Sequence, residues 1–186
     1  MRIALITPEY PGCGPSFGIG RYVRDLSEGL TAIGHEVMVA AASDTGCFRI
    51  ESGATPLLTG PAHPRLMLRP LLARRWLVRE LSAFAPDIVE LSNWGGLGSF
   101  LPTSWPTVVR LSTSAVDPSF RSTDVFRPLR HFLERTTVRR ATLLVADSCA
   151  MADAARVFFG READSVILHA YRGAIDPLTP RNEPAV

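Results

Sequence analysis

The sequence contains no lysine, and all 20 of its basic residues are arginine. A Schiff base between a lysine and a carbonyl substrate, or between a lysine and pyridoxal phosphate, is therefore excluded. Only three cysteines occur, and they are far apart, with no Cys-x-x-Cys pair and no histidines at zinc-ligand spacing: Cys13, Cys47 and Cys149. We therefore expect no metal site, and so few thiols fit a reducing cytoplasm.

A long apolar run and a large net charge are also missing. No apolar stretch is long enough to span a bilayer, and no signal peptide precedes the first predicted strand, which begins directly after Met1. The net charge of +2 gives no strong attraction to nucleic acid. The 186 residues correspond to one domain with room for a full core. These bounds predict an ordinary cytoplasmic globular domain.

The first 42 residues predict a strand, a glycine-rich loop, a helix and a second strand. Residues 3–6 form a continuous apolar run, which is typical of a strand buried on both faces. Residues 8–20 are rich in glycine and proline. The helix that follows ends at Gly34, and residues 37–40 form the second strand. One helix face is predicted to be buried: Ile19, Val23, Leu26, Leu30 and Ile33.

This loop leads into a helix N-terminus, where free N–H groups and the helix dipole attract a phosphate or another anion. It lacks both the Gly-Lys-Ser/Thr of a Walker A motif and the G-x-G-x-x-G spacing of a dinucleotide site. Gly18 and Gly20 are located where a ligand would meet the start of the helix. The alternative interpretation is that the glycines only allow the chain to turn.

The rest of the chain alternates predicted strands and helices. Short strands or turns are expected near residues 48–51 and 66–68. The predicted strands cover residues 86–92, 106–111, 141–146 and 165–168, and the predicted helices cover residues 71–84, 126–140 and 149–159. The second helix is predicted to bury Ala73, Leu77, Leu81 and Phe84, and the third to bury Leu129, Phe132, Leu133 and Thr136. Arg74, Arg75 and Arg79, beside Trp76, predict either a solvated face or contact with an anionic membrane surface.

Three loops are expected at one edge of the sheet. They follow Thr7, Leu91 and Leu111, and ligands of parallel α/β sheets bind at the carboxyl ends of the strands. The second of these loops, residues 93–99, is again rich in glycine, and the third begins with the polar cluster Ser112, Thr113 and Ser114. Three loops at one edge indicate a ligand site more strongly than any one of them alone.

These segments resemble the N-terminal domain of family 4 glycosyltransferases of the GT-B fold. The resemblance rests on Thr7-Pro8, on Ser16-Phe17-Gly18-Ile19-Gly20 and on Gly34-His35-Glu36-Val37. It continues in Pro-Asp-Ile-Val-Glu at residues 86–90 and in Val-Val-Arg-Leu-Ser-Thr at residues 108–113, where the family usually has His in place of Ser112. The run at residues 171–177 resembles the segment that leads to the family's second domain, with Arg172 in place of Asn.

The resemblance implies an α/β fold: a single Rossmann-like three-layer domain with a mostly parallel sheet, the N-terminal half of a GT-B fold. Residues 1–176 would form this domain and residues 177–186 a hinge or tail, with the C-terminal donor-binding domain absent from the chain. The family is retaining, and its fold requires neither a metal nor a cofactor besides the nucleotide sugar. This half would bind the acceptor and would be inactive until a second lobe is supplied in cis or in trans.

The implied partners are a nucleotide sugar and a carbohydrate or lipid-linked acceptor, with no nucleic acid. The implied location is the cytoplasm, with or without peripheral contact at the inner membrane face. Gly18 and Gly20 would lie beside donor phosphates, and Arg21 would meet an anionic acceptor or only solvent. The acceptor side would be lined by Asn93, Trp94, Gly95, Arg110, Ser112 and Thr113.

Ser112 leaves two interpretations open. A serine donates and accepts hydrogen bonds but is no base near pH 7, so it either binds a substrate or only caps the strand end. The departures at Ser112 and Arg172 motivate a second hypothesis, a non-catalytic glycan- or protein-binding module on the same fold. A flavodoxin-like or response-regulator domain is a weaker third hypothesis, because the acidic residues that a response regulator needs at its strand ends are not clustered here.

Overall fold

The computed structural model describes residues 1–51, 54–63, 68–112 and 126–168. Within these residues the strands are β1 (Arg2–Thr7), β2 (Glu36–Ala42), β3 (Cys47–Glu51), β4 (Leu57–Gly60), β5 (Ile88–Ser92), β6 (Thr107–Leu111), β7 (Leu143–Ala146) and β8 (Ser165–Val166). The helices are α1 (Gly18–Ala32), α2 (Arg69–Leu72), α3 (Arg74–Phe84), α4 (Arg127–Arg140) and α5 (Cys149–Phe159), and a 3-10 turn covers Trp94–Gly96.

The strands form one sheet in the order β4-β3-β2-β1-β5-β6-β7-β8. The neighbours from β2 through β1 to β8 pair in parallel, whereas β3 and β4 add an antiparallel hairpin at one edge. The mostly parallel sheet predicted from the apolar runs is therefore confirmed. Of the short strand or turn expected near residues 66–68, Leu68 lies in a turn that precedes α2, and the first two residues lie outside the described ranges.

Helices cover both faces of the sheet. On one face, α1 packs Val23 against Ile3, Leu5, Val37 and Val39. On the other face, α3, α4 and α5 pack Leu77, Leu81, Val138 and Phe159 against the alternate strand residues, which include Ile6, Met38 and Val109. Strands buried on both faces need continuous apolar runs, which is the pattern that the sequence contains. The expected three-layer architecture is confirmed.

Most helices lie where the apolar periodicity predicts them, but two ends differ. Ile33 follows α1 as its C-terminal cap residue, and its side chain is 72% exposed rather than buried. Gly34 has the expected positive φ of 89°. The helix predicted at residues 71–84 is divided at Ala73 into α2 and α3. Apolar spacing alone does not reveal this break, because Ala73 is buried together with Leu77, Leu81 and Phe84.

Trp76 belongs to the core and not to the basic surface of α3. Its side chain is 5% exposed, and its indole Nε1 donates a hydrogen bond to Thr59 Oγ1 at 3.0 Å. The prediction that Trp76 lies beside arginines on an outer face is therefore wrong. The reason is the unpredicted strand β4, which covers this side of α3 and gives the indole N–H a partner.

The buried face of α4 is rotated relative to the prediction. Leu133, Glu134, Thr137 and Val138 face inward, whereas Leu129 and Phe132 are 41% and 60% exposed. Thr137 and Leu133 contact the glycine-rich segment after β5, where only small groups fit between the loop and the helix. Close approach, rather than hydrophobicity, therefore decided which side of α4 turned inward.

Candidate functional site

Three neighbouring strands end at the same rim of the sheet. β1 lies beside β5, and β5 lies beside β6, all in parallel, so the residues after Thr7, Ser92 and Leu111 meet at one edge. Asn93 joins two of these ends: its backbone N–H donates to Arg110 O at 3.1 Å, and its Oδ1 accepts from Ser112 N at 3.4 Å. The expected convergence of the three strand ends is therefore present in the structure.

A narrow cleft with a cavity volume of about 20 Å³ opens between α1 and this rim. Its floor is apolar and includes Leu5, Ile6 and Leu91, and its polar lining is Tyr22, Glu90, Ser92, Arg110 and Ser112. Ile19, between the two predicted phosphate-binding glycines, also lines the cleft. The structure thus brings the start of α1 together with Arg110 and Ser112, as expected from the positions of the strand ends.

The two glycines at the start of α1 have different surroundings. Gly18 is exposed, and a side chain added there would meet no atom within 4 Å. Gly20 is buried, and an added Cβ would lie 3.0 Å from Glu9 O and closer still to Ser16 Oγ. Arg21 is exposed and does not line the cleft. Gly18 is therefore open to a ligand, whereas Gly20 permits close packing within the loop.

Glu9 is the residue at this rim that sequence reasoning missed. Its Oε1 accepts hydrogen bonds from Phe17 N at 3.0 Å and from Gly20 N at 2.8 Å. These are N–H groups at the N-terminus of α1, where no side chain of the helix itself acts as a cap. The separation of eight positions between Glu9 and Phe17 conceals the contact, because capping patterns in sequence span about three positions.

Arg110 lines the cleft, but its guanidinium is held by the protein. Its Nε lies 3.2 Å from Glu90 Oε1, its Nη1 donates to Ile167 O at 2.9 Å, and its Cζ lies 4.7 Å from the centre of the Tyr22 ring. Tyr22 Oη donates to the same Glu90 oxygen at 2.7 Å. Burial, followed by the charge of Glu90, raises the pKa of Tyr22, so this hydroxyl remains protonated.

The second glycine-rich loop, residues 93–99, is packed against α4 rather than open at the cleft. Asn93 is fully buried, and Gly95 is buried with a φ of 73°. A side chain at Gly96 would lie 2.6 Å from Leu133 Cβ. Trp94 is half-buried, and the Arg130 guanidinium lies 5.4 Å from its ring centre. Asn93 therefore positions strand ends, and Gly96 permits helix packing.

Ser112 is the predicted residue whose side chain remains available in the cleft. It lines the cleft, and its Oγ is buried and has no hydrogen-bond partner among the residues that the structure describes. A buried hydroxyl without a partner costs free energy, and a ligand hydroxyl would supply that partner. Thr113 and Ser114 lie outside the described residues, as does the run at residues 171–177.

The described residues contain neither a cluster of metal ligands nor a membrane-spanning helix. Among residues 1–51, 54–63, 68–112 and 126–168, no group of three or more His, Cys, Asp or Glu side chains is arranged to hold a metal ion. No helix within the same ranges has the length and apolar character needed to cross a membrane.

The fold and the rim are those of a GT-B Rossmann-like domain. Residues 17–171 match the family model described as "Glycosyl transferase 4-like domain". The chain therefore belongs to this family, which confirms the resemblance seen in the sequence. A comparison with curated proteins found no match.

Solved structures with the same fold include sucrose-phosphate synthase from Thermosynechococcus elongatus, with a TM-score of 0.66 at 17% identity over 90% of this chain and 47% of that chain. Another chain of that enzyme gives a TM-score of 0.57 at 14% sequence identity, over 94% of the present chain and 91% of that chain. UDP-GlcNAc 2-epimerase from Methanocaldococcus jannaschii gives a TM-score of 0.51 at 12% sequence identity, over 90% of the present chain and 45% of that chain. The present chain thus spans about half the length of the first and third of these chains.

Proposed function

We propose that this domain binds the acceptor in a retaining glycosyltransferase, which transfers a sugar from a nucleotide sugar to an acceptor hydroxyl. The observation that carries the proposal is the cleft at the shared rim of β1, β5 and β6, in a chain of the glycosyl transferase 4-like family. Ligands of open α/β sheets bind at such a rim. The lining combines apolar side chains with hydroxyl, carboxylate and guanidinium groups, which are the kinds of group that contact a sugar ring and its hydroxyls.

In this proposal Ser112 is the contact to the acceptor. Its buried, unpaired Oγ accepts or donates a hydrogen bond to an acceptor hydroxyl, which it orients without removing its proton. Arg110 is a positioning residue, because its ion pair with Glu90 and its contact with Tyr22 fix the cleft wall. The groups that bind most of the nucleotide sugar belong to a second lobe, so the domain alone does not turn over.

The proposed partners are a nucleotide sugar, a carbohydrate or lipid-linked acceptor and the second lobe, supplied in cis or in trans. The proposed location is the cytoplasm, with or without contact at the inner membrane face. Three sparse cysteines, none of them in a disulfide, fit such a compartment. The basic surface of α3 could contribute to membrane contact only through its arginines, because Trp76 is buried.

The second candidate is a non-catalytic glycan- or protein-binding module. Two observations favour it: the Glu9 carboxylate already occupies N–H groups at the start of α1, and Ser112 provides no base. A module of this kind would bind a glycan at the cleft and would transfer no sugar even with a second lobe present.

The test joins the chain to a C-terminal lobe of its family. The fusion is incubated with a panel of UDP-, GDP- and ADP-sugars and simple glycosides, and nucleotide release and glycoside mass are measured. The transferase proposal expects release with the fusion and none with the chain alone. It also expects about tenfold less transfer in the Ser112→Ala fusion, the value of one lost hydrogen bond.

Ser112→His separates the two candidates further. More transfer with histidine at this position supports the enzyme, because the imidazole can act as a base near pH 7. Glycan binding by the unaltered chain, with no nucleotide release from any fusion variant, supports the binding module and contradicts the transferase proposal.

A further inference from the structure

Glu9 occupies the place at the start of α1 where the sequence predicts a phosphate. One carboxylate oxygen accepts from Phe17 N and from Gly20 N, at 3.0 and 2.8 Å. The N-terminus of a helix attracts one negative group through its free N–H groups and its dipole. Here the chain itself supplies that group, so a ligand phosphate would have to displace a carboxylate or approach it as a like charge.

The loop is built to hold Glu9 at this position. Thr7, which is fully buried, donates from Oγ1 to Glu9 O at 2.7 Å, and its Oγ1 accepts from Glu9 N at 3.3 Å. On the other side, Gly20 lies so close to Glu9 O that any Cβ would stand 3.0 Å away. Residues from β1 and from α1 thus fix the backbone of Glu9 from both sides, and its carboxylate is set against the helix start.

The cleft beside this helix start offers no uncommitted cation to replace the lost phosphate site. Arg110 is the only basic residue in the described cleft lining, and it is paired with Glu90 at 3.2 Å. Arg21 follows Gly20 but is not among the residues that line the cleft. The side chain next to the capped N–H of Phe17 is an aromatic ring, 75% exposed. These surroundings favour an uncharged ligand with an apolar face and hydroxyl groups.

We propose that Glu9 is a specificity-determining residue, whose carboxylate takes the place of a ligand phosphate at the start of α1, so that this rim receives a neutral, hydroxyl-bearing acceptor rather than a phosphorylated one. The identity of this ligand as a glycosyl acceptor rests on the proposed glycosyltransferase function. The exclusion of anions is a property of the domain itself and is measured without any enzymatic reaction.

The experiment titrates inorganic phosphate into the ¹⁵N-labelled 186-residue chain and follows the amide signals of Phe17 and Gly20. We expect no shift of these two signals in the unaltered chain. Glu9→Ala vacates the site and is expected to bind phosphate at least about tenfold more tightly, since a helix start and one removed like charge together are worth about that factor. Glu9→Gln keeps the acceptor oxygen but not the charge, and it should bind with intermediate affinity.

Glu36→Gln is the matched control. It removes the same charge from an exposed glutamate at the opposite, amino end of the sheet, and phosphate binding should remain as in the unaltered chain. A second measurement compares glucose with glucose 6-phosphate. The ratio of their affinities should move toward the phosphorylated sugar in Glu9→Ala and not in Glu36→Gln.

The proposal would be overturned if phosphate shifts the amide signals of Phe17 and Gly20 in the unaltered chain and binds it with the same affinity as it binds Glu9→Ala. If Glu9→Ala does not fold, as judged by its thermal unfolding, the unaltered chain and Glu9→Gln still decide between these results. A fusion without transferase activity would overturn the proposed function and leave this inference standing, because the phosphate titration does not depend on catalysis.

Discussion

The two glycine-rich loops at the rim look alike in sequence and differ in structure. The first, residues 8–20, contains Gly18, where an added Cβ would meet no atom within 4 Å. The second, residues 93–99, is pressed against α4, where Gly96 and Gly98 would place an added Cβ within 2.6 and 2.8 Å of other atoms. Ser99 Oγ completes that contact with hydrogen bonds to Gly96 O and Leu133 O, at 2.6 and 2.7 Å.

This difference shows that glycine content alone does not identify a ligand loop. In the second loop, the absence of a side chain permits a helix to approach the backbone, and the positive φ of Gly95 and Gly96 permits the turn. In the first loop, Gly20 permits the approach of the chain's own Glu9, and Gly18 is exposed with no atom within 4 Å of an added Cβ. The first loop therefore belongs to the binding rim, and the second supports it from behind.

The largest expected effect is in the second loop. Gly96→Ala should lower the free energy of unfolding by about 3 kcal/mol, because the new Cβ clashes with Leu133 and the positive φ is unfavourable for alanine. Denaturant unfolding of the purified variant measures this. A loss below about 1 kcal/mol, the usual lower limit for overpacking, would mean that the loop does not pack on α4 as described.

A slightly smaller effect should appear in the first loop at alkaline pH. Burial raises the pKa of Cys13 from 9.0 to about 11. Because the unfolded chain then releases the thiol proton first, stability should fall between pH 9 and pH 11. The loss from this thiol should approach about 2–3 kcal/mol, the equivalent of a shift of about two pKa units.

Denaturant unfolding from pH 8 to pH 11 measures that loss. The variant Cys13→Ala should lack the part of the loss that comes from the Cys13 thiol. Cys47 is the matched comparison outside both loops, since burial raises the pKa of its thiol to about 11 as well. An unfolding free energy that changes equally with pH in the unaltered chain and in Cys13→Ala would contradict a buried, protonated Cys13.

The smallest expected effect is at Gly18. Gly18→Ala should raise the free energy of unfolding by about 0.5 kcal/mol, since alanine is the better helix former and no atom lies within 4 Å. Thermal unfolding measures the change. Gly29→Ala, farther along α1 and equally free of contacts, is the control and should stabilise by up to about 1 kcal/mol. Destabilisation at Gly18 alone would show that this part of the first loop is closed.

The elements that depend on local patterns were predictable. The apolar runs of β1 and β2, the periodicity of α1, the serine cap of α5 and the glycine after α5 all appear in the structure as expected. Ser148 Oγ accepts from Met151 N at 3.2 Å, and Gly160 adopts a φ of 66°. Each of these features is decided by neighbours within about four residues along the chain.

The candidate site was predictable only in position. The rule that ligands bind at the carboxyl ends of parallel strands correctly brought Arg110 and Ser112 to one cleft, and the sequence resemblance correctly indicated the family. What each side chain does there could not be predicted. Arg110 is held by Glu90, Asn93 is buried between strand ends, and the roles in binding stay predictions until they are measured.

By itself, the sequence determined the order of the strands and helices apart from β4 and the break between α2 and α3, and it also determined the parallel sheet and the family, because these follow from local periodicity and short motifs. Only the tertiary structure decided that Glu9 caps α1, that Trp76 is buried under β4 and that the second glycine-rich loop packs on α4. Each of these is a contact between residues distant along the chain, set by how closely two backbones approach, and no local pattern encodes that distance.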